Sequence, residues 1–157
     1  MSFSSLPATL SPALSGREAI ADAIYRCVIA YDTDDLALFE SSFTSDAIFE
    51  VNGKIMNGLE AIKTQSFVPV SKMDTNHFIS NIRINVIDPD SKAQVTCSAL
   101  AQHYRSGEGM KPGAVSLLAG SLYWADVTKD VGDEIWRIKH IKLNSTWIQG
   151  DSGVLTD

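Results

Sequence analysis

The chain has 157 residues, of which 45% are hydrophobic and 20% charged, and its formal net charge is −6. This length and composition are typical of one globular domain and exclude a disordered or fibrous chain. The 13 basic residues are scattered along an acidic chain, which argues against nucleic acid as a partner.

Targeting and redox features of the sequence favour the cytoplasm. Residues 1–15 lack the basic start and apolar stretch of a secretory signal, and no run approaches the roughly 18 apolar residues of a membrane span. Cys27 and Cys97 are too few for a disulfide framework, so we expect two buried thiols in a reducing compartment. We therefore expect one cytoplasmic domain over residues 1–157 without a membrane partner, with a flexible segment at 1–15 and a C-terminal tail at 150–157.

The apolar pattern of the first half predicts helices. From Ser15 onward, apolar residues recur every three or four positions, and Ser15 and Glu18 have the spacing of a capping box. Tyr31 lies on the apolar stripe of this first helix. Thr33 is the expected N-cap of a second helix, so Asp32 is predicted at the junction of two helices, where its side chain can point into a cavity.

The second half of the sequence predicts strands. An Asn52-Gly53 turn predicts a hairpin, and the short helix that follows it is expected to end before Pro69. From Asn76 onward the apolar period shifts toward two, in four long runs separated by the turn-rich segments PDS, SGEGMKPG and DVGD. The predicted architecture is α+β, with about three N-terminal helices packed on one curved, mostly antiparallel sheet.

Strand alternation indicates which polar side chains face inward. His103 shares one face of its predicted strand with small apolar residues, which leave room for a ligand. His140 is in register with Trp136 on the last predicted strand, so it is also a candidate for the inner face. The alternation leaves the direction of His77 open.

Three motifs, AYDTDDL, TNHFISNIRI and ALAQHYRSG, resemble scytalone dehydratase and the wider SnoaL-like group of the nuclear-transport-factor-2-like superfamily in their order and spacing. The similarity extends over roughly residues 17 to 149. It implies a cone-shaped α+β barrel with one pocket. In that pocket, the resemblance assigns catalytic groups to Tyr31, Asp32, His77 and His103.

The sequence departs from this family in the groups that would contact the substrate. Glu50 stands near the expected position of a second tyrosine, and Ala119 and Ser121 replace the Ser and Asn of a later family strand. The substrate of the family is therefore not carried over. The candidates for substrate contacts in this chain are Glu50, Ser121, Trp136, His140 and Phe39.

Asp32 and His77 are an acid/base pair on chemical grounds as well. A neutral imidazole abstracts protons well near pH 7, and a carboxylate on its other nitrogen holds the tautomer and stabilises the imidazolium. Tyr31 and His103 can hydrogen-bond a carbonyl or phenolic oxygen on which negative charge develops. This set requires no cofactor, and the orientation of His77 by Asp32 explains it without a metal.

The leading functional hypothesis is a cofactor-independent dehydratase or isomerase. The resemblance implies a small hydroxylated carbonyl compound as its substrate, such as a polyketide or terpenoid intermediate. Two alternatives stay open: an epoxide hydrolase or cyclase on the same fold, and a non-catalytic ligand-binding or dimerisation module. Apolar residues on the outer sheet face also predict a homo-oligomer, either a dimer or a trimer; they include Leu100, Leu118, Leu122 and Trp124.

Overall fold

A helical layer opens the fold in the computed structural model, which describes residues 3–156. Met1, Ser2 and Asp157, the ends of the predicted N-terminal segment and C-terminal tail, lie outside the described residues. The helical bounds are α1 (Gly16–Thr33), α2 (Leu36–Ser41), α3 (Leu59–Ile62), the π turn (Lys63–Phe67) and α4 (Val68–Ser71). This π-helical turn joins α3 and α4 into one continuous segment, so the described residues before the long strands form three helical segments, as predicted.

The caps of α1 and α2 differ from the predicted ones. Ser15 is the N-cap of α1, but its side chain makes no capping hydrogen bond, so no capping box forms with Glu18. Thr33 is the last residue of α1 and not the N-cap of α2. Asp34 then adopts the left-handed conformation that ends α1, with φ 53°, which aspartate tolerates better than most residues. Asp35 caps α2 because its carboxylate accepts a backbone N–H of that helix.

Two local predictions between α2 and the long strands had opposite outcomes. Asn52 and Gly53 have positive φ angles of 50° and 88° and form the hairpin turn, as predicted. The predicted helix end before Pro69 is wrong, because the helical segment continues to Ser71. Pro69 lies in the first turn of α4, a position at which proline is compatible with a helix.

Within residues 3–156, six strands form one curved sheet in the order β2-β1-β6-β5-β4-β3. Neighbouring strands are antiparallel except β1 and β6, which are parallel. Helices packed on this mostly antiparallel sheet confirm the predicted α+β class. The strand bounds are β1 (Phe43–Val51), β2 (Lys54–Asn57), β3 (Asp74–Asp88), β4 (Lys92–Tyr104), β5 (Ser116–Lys129) and β6 (Trp136–Gly150).

The core lies between the helices and the inner face of the sheet. Alternate residues of β4 and β5 point into it, among them Val95, Cys97, Tyr123 and Ala125. α1 contributes its apolar stripe from the other side. No helix within residues 3–156 has both the length and the apolar character needed to cross a membrane.

The outer face of the sheet carries an exposed apolar patch. Phe78 pairs with Leu100 across β3 and β4, and Leu100 pairs with Gly120 of β5. Trp147 of β6 covers Gly120, where an added Cβ would meet the indole ring at 2.3 Å. We call Phe78, Leu100, Leu122 and Trp147 the outer patch; their exposed fractions are 59%, 38%, 55% and 47%.

Both ends of the described chain are tied to the rest of the fold. Residues 3–15 form neither helix nor strand, and the Ser5 hydroxyl donates to the Asp35 carboxylate. At the other end, a 3-10 helix (Ser152–Leu155) lies against β4 and β5 and buries Val154. The predicted C-terminal tail is thus a short helix packed on the sheet over these residues.

Candidate active site

Asp32 and His77 form a buried pair that joins the last turn of α1 to β3. Oδ1 of Asp32 lies 2.6 Å from Nδ1 of His77, and Oδ2 accepts the His77 backbone N–H at 2.8 Å. The two side chains are only 5% and 8% exposed, respectively. Because a carboxylate oxygen accepts hydrogen bonds, Nδ1 is the nitrogen of His77 that carries the proton when the imidazole is neutral, and Nε2 then keeps a lone pair.

The position of β3 explains why Asp32 takes two hydrogen bonds from one residue. β3 is the last strand of the sheet and pairs with β4. Backbone N–H groups that point away from an edge strand find no partner in a neighbouring strand. α1 packs against β3, and its Asp32 carboxylate bonds to such an N–H, that of His77. The same carboxylate thereby fixes both the backbone and the imidazole of His77.

Tyr31 lies next to this pair on α1. Its ring centroid is 5.5 Å from that of His77 with an interplanar angle of 25°, and Phe39 packs edge-on to it at 5.0 Å. The phenolic oxygen is 2.5 Å from Oγ of Ser66, in the π turn. Burial raises the pKa of Tyr31 well above its usual value, so the phenol stays protonated and can donate a hydrogen bond.

His103 of β4 lies beside the same pair. We call Tyr31, Asp32, His77 and His103 the cluster. Its ring centroid is 5.4 Å from that of His77, with the rings nearly perpendicular at 77°. Its Nδ1 lies 2.9 Å from Oγ1 of Thr75. Burial, and to a smaller extent the neighbouring His77, lower the pKa of His103 to about 4, while Asp32 opposes the shift. His103 is therefore neutral at physiological pH.

Glu50 and His140 form a second carboxylate–imidazole pair, but on the opposite face of the sheet. Oε1 of Glu50 is 2.7 Å from Nε2 of His140. Their sequence neighbours Phe49 and Ile141 belong to the core, so alternation directs Glu50 and His140 outward. Contrary to the sequence-based expectation, the structure does not bring this pair to the cluster around His77.

A β-bulge in β6 explains the direction of His140. Ile138 and Ile141 are both core residues although three positions separate them. Across β5, Val127 pairs with Ile138 whereas Asp126 pairs with His140, so β6 has one extra residue at this point. The extra residue reverses the alternation and turns His140 outward.

The three remaining candidates are buried at different places. Phe39 contacts the cluster through the ring of Tyr31. Ser121 lies on β5, and its Oγ is 3.2 Å from Oγ of Ser145. The Trp136 backbone carbonyl accepts a hydrogen bond from Arg26, and the residue lines a cavity of about 380 Å³ beneath the N-terminal segment. The structure thus joins Phe39 to the cluster and pairs Ser121 and Trp136 with other groups.

Sequence analysis missed two residues that bond directly to the cluster. Ser66 bonds to Tyr31, and Thr75 bonds to His103. Thr75 is two positions before His77 on β3, so the two side chains share one face of the strand, and the alternation could have identified Thr75. Ser66 lies in a π turn, which the helical pattern of the sequence does not reveal.

The cluster is largely closed to solvent. The 380 Å³ cavity lies near the N-terminal segment, and a groove of about 1030 Å³ runs between α1 and the sheet. Neither is lined by Tyr31, Asp32, His77 or His103. These two openings are therefore separate from the buried pair.

The cluster offers acid/base chemistry. It holds one imidazole fixed by a carboxylate, one protonated phenol and one neutral imidazole. Within the part of the chain that the structure describes, no group of three or more His, Cys, Asp or Glu side chains is placed to hold a metal ion. Proton transfer and hydrogen bonding to an anionic oxygen are the steps that these side chains can perform.

Comparison with known proteins gives one relative at high identity. The chain is 56% identical to the "Terrestric acid biosynthesis cluster protein E" of Penicillium crustosum over 154 residues, which cover 98% of each chain. The two proteins therefore match over nearly their whole lengths.

Solved structures share the fold at low identity. A candidate scytalone dehydratase from Novosphingobium aromaticivorans superimposes with a TM-score of 0.73 at 20% identity, over 85% of this chain and 86% of that one. A hexachlorocyclohexane dehydrochlorinase, LinA type 2, gives 0.69 at 19% identity, over 88% and 90%. The model of the SnoaL-like domain family matches residues 12–142. With its fold, its relative at 56% identity and this match over most of its length, the chain belongs to the SnoaL-like domain family.

Proposed function

We propose that this protein is a cofactor-independent lyase or isomerase that removes a proton next to a carbonyl group of a small hydroxylated molecule. The observation that carries the proposal is the 2.6 Å contact between Asp32 and Nδ1 of His77. It leaves Nε2 of His77 as a neutral base, oriented by a buried carboxylate.

The proposed first step is abstraction of the proton by Nε2 of His77. The C–H electron pair moves into an enolate, and the resulting imidazolium is stabilised by Asp32. Tyr31 donates a hydrogen bond to the enolate oxygen. Ser66 makes this geometry available because its hydroxyl can donate to the Tyr31 oxygen and leave the phenolic proton for the ligand.

Two second steps are compatible with the same base. In dehydration, the enolate expels a hydroxyl group from the neighbouring carbon and the imidazolium returns its proton to that group, giving an unsaturated carbonyl compound and water. In isomerisation, the imidazolium reprotonates the substrate at another carbon. We favour dehydration, because structural neighbours of this chain are named as a candidate scytalone dehydratase and a dehydrochlorinase, and both names denote enzymes that catalyse eliminations.

The proposed biological setting is specialised metabolism. The relative at 56% identity is named as a protein of a terrestric acid biosynthesis cluster. A tailoring step on a polyketide or related oxygenated intermediate fits both that name and the buried, largely apolar surroundings of the cluster. Epoxide opening is less well supported, because Glu50 lies on the outer face and leaves Asp32 as the acidic side chain of the cluster.

We also propose that the protein self-associates through the outer patch. These four apolar side chains lie in adjoining rows of the sheet face that the helices do not cover. An exposed apolar surface of this kind is typical of a protein–protein contact. A second copy of the chain is the proposed partner.

Solvent deuterium exchange tests the proposed reaction without knowledge of the natural substrate. The protein is incubated in D₂O with a panel of small β-hydroxyketones, and proton NMR follows loss of the C–H signal and growth of vinyl signals. His77→Ala should slow the exchange by at least about 10²-fold. His140→Ala, which alters the outward histidine, is the matched control and should retain the rate.

The alternative of a binding module gives a different result. If the wild-type protein binds compounds of the panel but exchanges no protons, the proposal is wrong and a non-catalytic role is favoured. Equal exchange by the wild type and His77→Ala likewise contradicts the assignment of the base.

A further inference from the structure

The hydroxyl of Thr75 lies within hydrogen-bond distance of two groups, a backbone carbonyl and an imidazole nitrogen. Oγ1 is 2.8 Å from the backbone oxygen of Gln102 and 2.9 Å from Nδ1 of His103. Thr75 and His103 are directly opposite each other on β3 and β4, and both are buried. The arrangement is therefore fixed by the sheet rather than by mobile side chains.

Only one placement of protons satisfies both contacts. A hydroxyl carries a single proton, and a carbonyl oxygen can only accept. Thr75 therefore donates to Gln102, and its oxygen accepts a hydrogen bond from Nδ1–H of His103. The opposite placement would leave two oxygens 2.8 Å apart with no proton between them, at a buried position.

From this geometry we infer that Thr75 is a positioning residue that holds His103 in the Nδ1–H tautomer, so that its Nε2 accepts a hydrogen bond from a ligand hydroxyl. The statement about the tautomer stands on the contacts alone. The statement about the ligand rests on the proposed function, because it assumes that this cluster binds the substrate.

The remaining nitrogen of His103 is available for this role. Nδ1 of His103 is bonded to Thr75, and among residues 3–156 no hydrogen bond joins Nε2 to another group. Nε2 is not one of the fully buried atoms that lack a partner, so it remains accessible. Nε2 is the ring nitrogen farther from the backbone, and His103 lies on the inner sheet face next to His77. Burial keeps the ring uncharged, with a pKa of about 4, so Nε2 does not become a donor at neutral pH.

The two histidines of the cluster then offer the same kind of atom to a ligand. Asp32 fixes the Nδ1–H tautomer of His77, and Thr75 fixes that of His103. Both Nε2 atoms carry lone pairs, with the ring centroids 5.4 Å apart. A bound molecule needs one acidic C–H for His77 and one hydroxyl donor for His103. Ethers, halides and ketones without a hydroxyl lack the second group.

Nitrogen NMR tests the tautomer without any turnover. The chain has three histidines, so single substitutions assign each imidazole in a long-range proton–nitrogen spectrum. At pH 7, we expect a pyrrole-type Nδ1 and a pyridine-type Nε2 for His103. Thr75→Val, which keeps the shape and removes the hydroxyl, should give a mixture of tautomers, and Thr75→Ser should restore the wild-type spectrum. A pyridine-type Nδ1 in the wild type would overturn the inference.

Phenol and anisole test the ligand preference as a matched pair of probes. Wild-type protein should bind phenol about 3- to 10-fold more tightly than anisole, as expected for one neutral hydrogen bond. The preference should disappear in Thr75→Val and persist in Thr75→Ser. Equal affinities in the wild type, or binding of neither probe, would overturn the ligand assignment. If the tautomer and the preference are found but no compound is turned over, the inference holds and the proposed reaction fails.

Discussion

The carboxylate of Asp32 bonds to both the backbone and the ring of His77, at 2.8 and 2.6 Å. One side chain of α1 thus binds a backbone N–H of the edge strand and sets the tautomer of a buried imidazole. The structural and the proposed chemical roles of Asp32 depend on the same two hydrogen bonds. Substitutions that separate the two roles are therefore informative.

Asp32→Asn should lower turnover by at least about 10²-fold while the protein stays folded. An amide offers one acceptor and one donor, so it cannot accept both the backbone N–H and Nδ1–H of His77. If the amide NH₂ faces the ring, His77 must adopt the Nε2–H tautomer and loses its base. Deuterium exchange measures the effect. Asp34→Asn, two residues away and exposed, is the control, and equal rates in both variants would contradict the role of Asp32.

His103 should make the protein less stable at acidic pH. Its pKa is about 4 in the folded state, below the ordinary value of 6.5, so the unfolded chain binds a proton first as the pH falls. The free energy of unfolding should therefore fall between about pH 6.5 and pH 4, by up to about 3 kcal/mol from this group, and be unaffected by it above pH 7.

Urea unfolding at pH 7 and pH 4.5 measures this contribution. His77, Asp32 and surface carboxylates also respond to pH, so the wild type is compared with His103→Asn, which lacks the titrating group. The variant should lose less stability on acidification than the wild type. Equal losses would show that His103 is not neutralised by burial.

The sequence predicted which segments are helices and strands better than it predicted which side of the sheet each strand residue faces. Helical and alternating periods gave three helical segments followed by long strands, because those periods are local. Alternation also put His103 inside, since β4 is regular around it. His140 was misplaced because a bulge in β6 is set by pairing with β5 and leaves no local signal.

The candidate site needed more than periodicity. Nothing in the local pattern relates Asp32 to His77, because they are 45 positions apart in the sequence and lie on a helix and on the edge strand of the sheet. The family resemblance predicted that they lie together, and chemical reasoning then showed what such a pair can do. Ser66 and Thr75 were missed because a hydroxyl side chain is common on helices and strands, and only the contact with Tyr31 or His103 distinguishes them.

Arg26 should be a major source of stability outside the cluster. It is 4% exposed, pairs with Asp22 at 3.0 Å and donates to the backbone oxygens of Ser41 and Trp136, so it ties α1 to the end of α2 and the start of β6. Arg26→Met leaves buried acceptors and a carboxylate without partners. We expect a loss of about 3 to 5 kcal/mol in the free energy of unfolding, measured by urea denaturation.

Arg137→Met is the control for the loss of one guanidinium. Arg137 pairs with Asp133 at 2.6 Å near the surface, where an ion pair contributes about 1 kcal/mol or less. A loss in Arg26→Met no larger than that in Arg137→Met would contradict the proposed role of the buried network.

The outer patch should control the oligomeric state. Leu122→Lys adds a charge to this surface and should convert the proposed dimer or trimer into monomers, as measured by light scattering after size exclusion. Ile87→Lys alters an apolar residue of β3 that is as exposed as Leu122 but lies outside the outer patch, and this variant should keep the assembly. A monomeric wild type at micromolar concentration would contradict self-association.

Gly150 should determine how the C-terminal helix packs. Its φ is 102°, and an added Cβ would lie 2.1 Å from the backbone oxygen of Ser116, which also accepts the N–H of Asp151. Gly150→Ala must therefore break that hydrogen bond and move the helix that buries Val154. We expect faster hydrogen exchange of residues 151–155. Gly113→Ala, with φ 74° and no atom near the added Cβ, carries the backbone strain alone and should leave exchange of residues 151–155 unchanged. Unchanged exchange in Gly150→Ala would mean that the helix is held by other contacts.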